Sequence, residues 1–392
     1  MIAGIICEFD PLHRGHAHLL ARARATGASA VVCAMSGSFT QRGSFAAVSK
    51  FARAEMAVRC GADLVLELPV LWAMSPAEQF AGGGVSLLTQ TGAADTLLFG
   101  SECGDINALR LAAEALDSPA FAAAFQARQE TGVTFAAARQ EVLRAMPGVD
   151  AELLAQPNSI LGVEYLRAIA RQGSPLRAAT IPRAGATHDG PPEAGTASAS
   201  HLRELLRQGQ VESACAFMPA EAADVLRREV RAGRIADPAL CSRAILSRLR
   251  TMDEADWQVY DRGGEGLYHR LCRAGHTGAS PEEVLAAAKT KRYPLSRLRR
   301  MVLAAWLGLP GELPGRPPYL RVLAASGTGR ALLRQMRDAG APVLTKPADV
   351  SALGAEASAL LALESRCTDM RALACPDTGR PGEDMRAVPL ML

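Results

Sequence analysis

Ile2-Ala3-Gly4-Ile5-Ile6-Cys7-Glu8-Phe9-Asp10-Pro11-Leu12-His13-Arg14-Gly15-His16 is the stretch on which the reading of this chain turns. Its first six residues are apolar, with β-branched members, and predict a short buried strand. Pro11 stiffens the loop that follows, and a helix is expected from about Gly15 to Thr26. A strand that runs through such a loop into a helix leaves the helix N-terminus at the sheet edge. Amide N–H groups there lack partners, so a phosphate can sit on them. Gly15 permits close backbone approach. His13 and His16, three residues apart, lie on one side of the turn. They can donate hydrogen bonds to an α-phosphate as it becomes five-coordinate and to a departing pyrophosphate. Two plainer uses compete: satisfied surface histidines, or part of a zinc site. Zinc needs a third ligand, and no His, Cys or Glu is spaced to supply it. The chain contains no Gly-Lys dipeptide, so a P-loop is excluded.

Outward from this stretch the pattern repeats. Residues 30–35, 62–68, 94–100 and 176–181 read as further strands, and 51–60, 104–129, 133–146 and 159–172 as helices. Strands alternating with helices predict a parallel sheet with right-handed crossovers, whose ligands bind beyond the carboxyl ends of the strands. The Gly- and Pro-rich stretch 184–198 reads as a mobile loop. Beyond about residue 200 no strand is expected. Helices are predicted near 201–208, 219–232, 238–251, 281–288, 295–307 and 328–339, with LPGELPGRPP (309–318) as a connector. Three units follow: 1–205, 206–365 mostly helical, and a poorly ordered tail, 366–392.

The 392 residues are 49% hydrophobic and only 5% aromatic, so the core must rely on Ala, Leu and Val. Nine scattered cysteines with no Cys-x-x-Cys pair argue against a disulfide framework or zinc ribbon. They fit small buried hydrophobes in a reducing compartment, and a cytoplasmic location is expected. The start of the chain does not read as a signal peptide, and no apolar run approaches the roughly 18 residues of a membrane span. Net charge is only +3, but it is unevenly placed. Between Lys289 and Arg337 lie eleven cations and a single acid, Glu312. A solvated basic face and a polyanion contact both fit that run.

Three further signals attach to these elements. Ala197-Ser198-Ala199-Ser200-His201-Leu202-Arg203 opens a helix, as a second phosphate grip or as a plain serine cap. Ser36 to Arg42 follows the second strand and could hold a small acid or a base; Lys50, Arg53 and Glu55 either join it or are solvated. In 295–307, Leu295, Leu298, Val302 and Ala305 share one face and Arg297 and Arg300 project from another. With Lys289, Lys291 and Arg292 upstream they form a basic ridge suited to RNA phosphates. Tyr293 and Trp306 could stack on a base or pack.

Six blocks, GIICEFDPLHRGHAHL, MSGSFTQRG, SKFARAEMAVRCGADLVLELP, FGSECGDI, PNSILGVEYLRAI and KTKRYPLSRLRRMVL, occur in order from about residue 2 to 348 and resemble the tRNA(Met) cytidine acetate ligase family. The resemblance implies an α/β fold: a Rossmann-like parallel-sheet nucleotidyltransferase (HUP-type) domain, ATP-binding and catalytic, followed by a mostly α-helical, RNA-binding C-terminal domain. It implies a two-step reaction. Acetate and ATP form acetyl-adenylate, and the acetyl group passes to N4 of the wobble cytidine in the anticodon of elongator tRNA(Met), without acetyl-CoA. His13 and His16 would be catalytic. The ATP site would comprise Ile6, Cys7, Glu8, Phe9, Asp10, Pro11, Leu12, His13, Arg14, Gly15, His16, Ala17, His18 and Leu19, with Gly100, Asn158 and Arg183. Magnesium is expected with ATP, without a protein ligand set. Asp10 stands where the family usually has asparagine and Arg14 where it has a small polar residue. Phe9 and Cys103 also depart, from Tyr and Ser-like positions. Arg14 is close enough in sequence to offset the added acid. Two other functions share these residues: an adenylyltransferase of a small cofactor precursor, and a tRNA-binding protein with a decayed ATP site. No membrane partner is expected.

Overall fold

In the computed structural model, which describes residues 1–131, 133–183, 195–261 and 266–392, the opening stretch forms strand β1 (Ile2–Cys7) and helix α1 (Arg14–Ala25). β2 (Ala30–Ser36), α2 (Lys50–Arg59), β3 (Leu64–Leu68), β4 (Thr96–Ser101) and β5 (Arg177–Pro182) follow. The five strands are parallel neighbours in the order β5-β4-β1-β2-β3. The chain therefore builds outward from β1 in one direction and then crosses to its other side. This reversal opens a crevice beyond the ends of β1 and β4.

Alternate residues of the central strands enter different cores, as the two-residue period of a strand requires. Ile5, Val31, Cys33 and Met35 pack with Leu20 of α1 and Met56 of α2. Ile6, Val32 and Ala34 pack with Val85, Leu88 and Val163 on the opposite face. A sheet covered on both faces needs the unbroken apolar runs seen in β1 and β2. The Ala77–Gln90 helix lies directly on β1: a Cβ on Gly84 would sit 2.5 Å from Ile6 Cδ1. The run of glycines that allows this approach also hid the helix from a propensity reading. The single helix expected over 104–129 is two, Ile106–Leu116 and Pro119–Gln129. Ser118 accepts from the Phe121 amide and Pro119 cannot extend the first helix, so the chain restarts there.

Strands do not end near residue 200. β6 (Leu320–Ala325) lies antiparallel to β3, and β7 (Val343–Leu344) and β8 (Leu390–Met391) pair with β6. Strands from both sides of the expected boundary near 205 therefore share one sheet, and 206–365 is not purely helical. Nor is 366–392 a loose tail. The Ala355–Ala372 helix crosses residue 365, a short helix Glu383–Arg386 follows, and β8 closes on the sheet. The cause is a buried ion cluster. Lys50 Nζ lies 2.6 Å from Glu67 Oε1 and 2.7 Å from Asp384 Oδ2, and Arg321 lies 3.2 Å from Asp384 Oδ1. Lys50 was expected at a ligand or in solvent, and Arg321 in the exposed basic run; neither is there. Most of the 184–198 stretch, namely 184–194, lies outside the described residues. Among the described residues no helix is long and apolar enough to cross a membrane, and all nine cysteines are free thiols.

Candidate active site

Beyond β1 the backbone turns through Phe9, in the left-handed region at φ 48°, and enters α1 at His13. His13 caps its own helix: Nδ1 accepts the Gly15 N–H at 3.1 Å. His16 reciprocates, its Nδ1 accepting the His13 N–H at 3.3 Å. The two rings stack with centroids 3.7 Å apart, and the Phe9 ring tilts against His16 at 5.0 Å. This corrects the expectation of open amides. The Arg14 N–H donates to the Phe217 carbonyl, that of Gly15 to His13 Nδ1, and those of His16 and Ala17 to the His13 carbonyl. A neutral imidazole at the N-cap supplies the acceptor that the first turn lacks. What remains for a ligand is Nε2. Each Nδ1 accepts an N–H, so the neutral ring carries its proton on Nε2. Burial keeps both rings neutral, and His13 is pushed down to about 3, with Arg183 and Arg203 acting in the same direction.

Ile6, Cys7, Phe9, Pro11 and Leu12 are buried, Ala17 and Leu19 are partly buried, and Arg14 and His18 are exposed. Arg14 does not offset Asp10. It reaches outward to the Gly195 carbonyl at 3.3 Å. Asp10 is instead held by Arg203, whose Nη1 donates to the Asp10 carbonyl at 2.7 Å and lies 3.8 Å from Oδ2. Val48 N–H donates to the other carboxylate oxygen at 3.3 Å. Of the second expected phosphate grip, Ser198 is a plain cap accepting the His201 N–H, while Arg203 does reach the loop.

Across the crevice, β4 ends at Gly100 and Ser101. A Cβ on Gly100 would meet Arg183 Cγ at 3.2 Å, so the bare position accommodates the stem of that arginine. Arg183 Nη1 donates to Asn158 Oδ1 at 3.2 Å. Asn158 Nδ2 donates to Glu102 Oε1 at 2.7 Å, and the Asn158 amide reaches the same oxygen at 3.1 Å. Ser159 supplies its amide and hydroxyl to Glu102 Oε2 at 2.7 and 2.9 Å. Glu102 thus caps the Pro157–Arg171 helix from another element. Burial alone would raise its pKa, but the bonds from Asn158 and Ser159 outweigh it and hold the carboxylate below its usual range. Glu102 was not singled out from the sequence. An acid directly after a strand, at the ligand edge, was the available signal.

The loop after β2 is braced rather than open. Arg53, fully buried, donates to the carbonyls of Glu8, Ser36, Gly37 and Val48. It is neither solvated nor a ligand contact, and Glu55 pairs with Arg59 and Arg228 away from the loop. Gln41 gives its N–H to Glu8 Oε1 at 2.7 Å and takes Arg300 Nη1 on its carbonyl at 3.1 Å. Arg300 belongs to the Leu295–Leu307 helix, whose Leu298, Val302 and Ala305 are buried as expected, with Leu295 partly so. Arg297 pairs with Asp261 at 2.9 Å, so neither arginine projects as a free ridge. Lys289, Lys291 and Arg292 are exposed; Lys289 Nζ also bonds the Thr290 and Tyr293 carbonyls. Tyr293 and Trp306 are buried and pack.

A family model described as HIGH Nucleotidyl Transferase matches residues 1–383. Over 350 residues the protein is 38% identical to the tRNA(Met) cytidine acetate ligase of Syntrophotalea carbinolica, spanning 85% of this chain and 82% of the relative. The chain belongs to the tRNA(Met) cytidine acetate ligase family. The family member from Syntrophomonas wolfei is 32% identical over 99% of both chains. The apo structure of Thermotoga maritima TmcAL superposes with a TM-score of 0.94 at 29% identity, covering 100% of this chain and 99% of that one. The form of that protein bound with alpha-thio ATP gives 0.91. On this family frame, the structure brings His13, His16, Arg203, Asn158 and Arg183 to one sheet edge and leaves Lys289, Lys291 and Arg292 exposed in the turn between the Pro281–Ala288 and Leu295–Leu307 helices. Among the described residues no three of His, Cys, Asp and Glu cluster to hold a metal.

Proposed function

We propose that this protein is an ATP-dependent ligase that joins acetate to ATP as acetyl-adenylate, releasing pyrophosphate, and passes the acetyl group to N4 of the wobble cytidine of elongator tRNA(Met). The observation that carries this reading is the stacked His13–His16 pair at the β1/β4 crevice. Two neutral Nε2–H donors there stabilise charge developing on an α-phosphate without repelling a cationic neighbour. Arg203 and Arg183 supply the positive charge, and Asn158 orients Arg183. The remaining residues of the Ile6–Leu19 segment and Gly100 shape the nucleotide site. Magnesium enters on the triphosphate. Lys289, Lys291 and Arg292 contact the tRNA backbone, with Arg297 and Arg300 holding the helix behind them in place. A wobble base lies in a single-stranded loop and can be turned outward without melting a duplex. The reaction belongs in the cytoplasm, with acetate rather than acetyl-CoA as donor.

The test is incubation with ATP, labelled acetate and tRNA in the absence of acetyl-CoA. Label in the RNA, with AMP and pyrophosphate released, is expected. AMP transferred to a small acceptor would replace this reading with a cofactor adenylyltransferase. Tight tRNA binding without pyrophosphate release would replace it with a non-catalytic binder.

A further inference from the structure

Acyl transfer to cytidine needs a base for the N4 amine, and three carboxylates stand at the carboxyl edge beside the histidine pair. They differ in what their oxygens already do. Glu102 accepts four hydrogen bonds across both oxygens and stays ionised as a helix cap. Asp10 is 2% exposed; one oxygen takes the Val48 N–H, and the other is sealed inside the protein near Arg203. Glu8 is different. It follows β1 directly, and its carbonyl is fixed by Arg53 Nη1 at 2.5 Å. Its Oε1 is aimed by the Gln41 N–H, and the residue is half-buried. Oε2 is not among the sealed atoms. The histidines do not compete for the role, because each carries its proton on Nε2 and acts as a donor.

Gln41 adds a second geometric fact. Its carbonyl receives Arg300 from the helix that directly follows the exposed Lys289–Arg292 turn. Two hydrogen bonds therefore connect the Glu8 carboxylate to the element on the RNA side.

We propose that Glu8 is the general base of the acyl-transfer step, a role that rests on the ligase reading above. The N4 nitrogen attacks the acetyl carbonyl carbon and a C–N bond forms. The bond from that carbon to the AMP phosphate oxygen breaks, AMP leaves with the electron pair, and the N4 proton passes to Glu8 Oε2 and then to water. A carboxylate is also a suitable acceptor for the exocyclic amine of cytosine. Burial raises the Glu8 pKa; the Gln41 amide opposes this, Asp10 adds to it, and Arg203 and Arg53 oppose it. Cys7 and Tyr165 are the other titratable groups that sense its charge. A raised carboxyl pKa brings the base closer to neutrality, where a general base is most effective. Because the ionised form acts, the transfer rate should rise with pH through that raised pKa and then level off.

The experiment measures single-turnover acetyl transfer to tRNA from adenylate formed on the enzyme, beside pyrophosphate exchange, across pH. In Glu8→Gln the amide oxygen can still accept from Gln41, so the loop is retained. Transfer is expected to fall about 10²–10³-fold more than exchange, and its acid limb to disappear. Glu8→Asp should keep an acid limb at a reduced rate, and it carries the test if the glutamine variant does not fold. Transfer by Glu8→Gln within about threefold of the parent, or a surviving acid limb, would overturn the assignment. So would equal losses in both half-reactions, which would place Glu8 in the nucleotide site alone. No label in RNA with the unaltered protein would instead defeat the ligase reading, a failure visible before any variant is made.

Discussion

His13 and His16 each give one ring nitrogen to the backbone and keep the other for a ligand, so removing either ring is expected to alter helix capping and site chemistry together. His16→Ala is expected to reduce acetate-dependent pyrophosphate exchange by about 10²–10³-fold, the usual loss for one oxyanion-type donor. tRNA binding measured by filter retention should persist; unchanged exchange would refute the role. The pH behaviour of His13 has a definite sign. Its pKa is about 3 in the fold against an ordinary 6.5, so the unfolded chain holds the extra proton between those values. Its contribution to stability is present above about pH 6.5 and is lost as pH falls toward 3. Urea melts at neutral and mildly acid pH should show a smaller acid loss in His13→Gln than in the parent. At this scale the placement of the histidine pair, Arg203, Asn158 and Arg183 toward one sheet edge was legible in the sequence. It was not legible for Glu102 or for the partner of Asp10, because those contacts join elements about 56 and 193 residues apart.

Helix ends and loop braces set the positions of these groups. Glu102 caps the Pro157–Arg171 helix while orienting Asn158 and, through it, Arg183. Glu102→Ala should cost about 1–2 kcal/mol, as the loss of a good cap does, and should weaken ATP binding in calorimetry. A loss of stability with unchanged ATP affinity would separate the cap from the site. Gly43 occupies the left-handed region at φ 74°, and a Cβ there would lie 2.6 Å from the Arg300 amide. Gly43→Val should therefore push the Leu295–Leu307 helix from the loop after β2. A cost of about 1–3 kcal/mol from backbone strain and overpacking is expected in denaturant melts. The apolar face of that helix was readable from its spacing. The commitment of Arg297 to Asp261 and of Arg300 to Gln41 was not, since both partners lie in distant segments.

Over the whole molecule, the chain returns at its end to complete the sheet it began. Asp384 places a carboxylate between Lys50 and Arg321, all three buried. Asp384→Ala would leave buried cations with too few partners, and a destabilisation of about 3–5 kcal/mol is expected in thermal or urea melts. A neutral result would mean that the cluster relaxes around water. The exposed lysines of the helical half act at longer range. Replacing Lys289 and Lys291 by alanine should make the salt dependence of tRNA binding shallower by about one ion per lysine, without altering pyrophosphate exchange.

From its residues alone, the chain declared the five parallel strands, most of the helices between them, the histidine turn and the cation-rich segment, because each is written in a local period or a short motif; the glycine-rich Ala77–Gln90 helix was the exception. The antiparallel β6, the returning β8 and the Lys50–Asp384 cluster were decided only by tertiary structure. In each case a group's partner lies far along the chain, or its local preference is overruled by burial. Period and propensity act over a few residues, whereas pairing a buried charge or closing a sheet edge is settled when the whole chain packs.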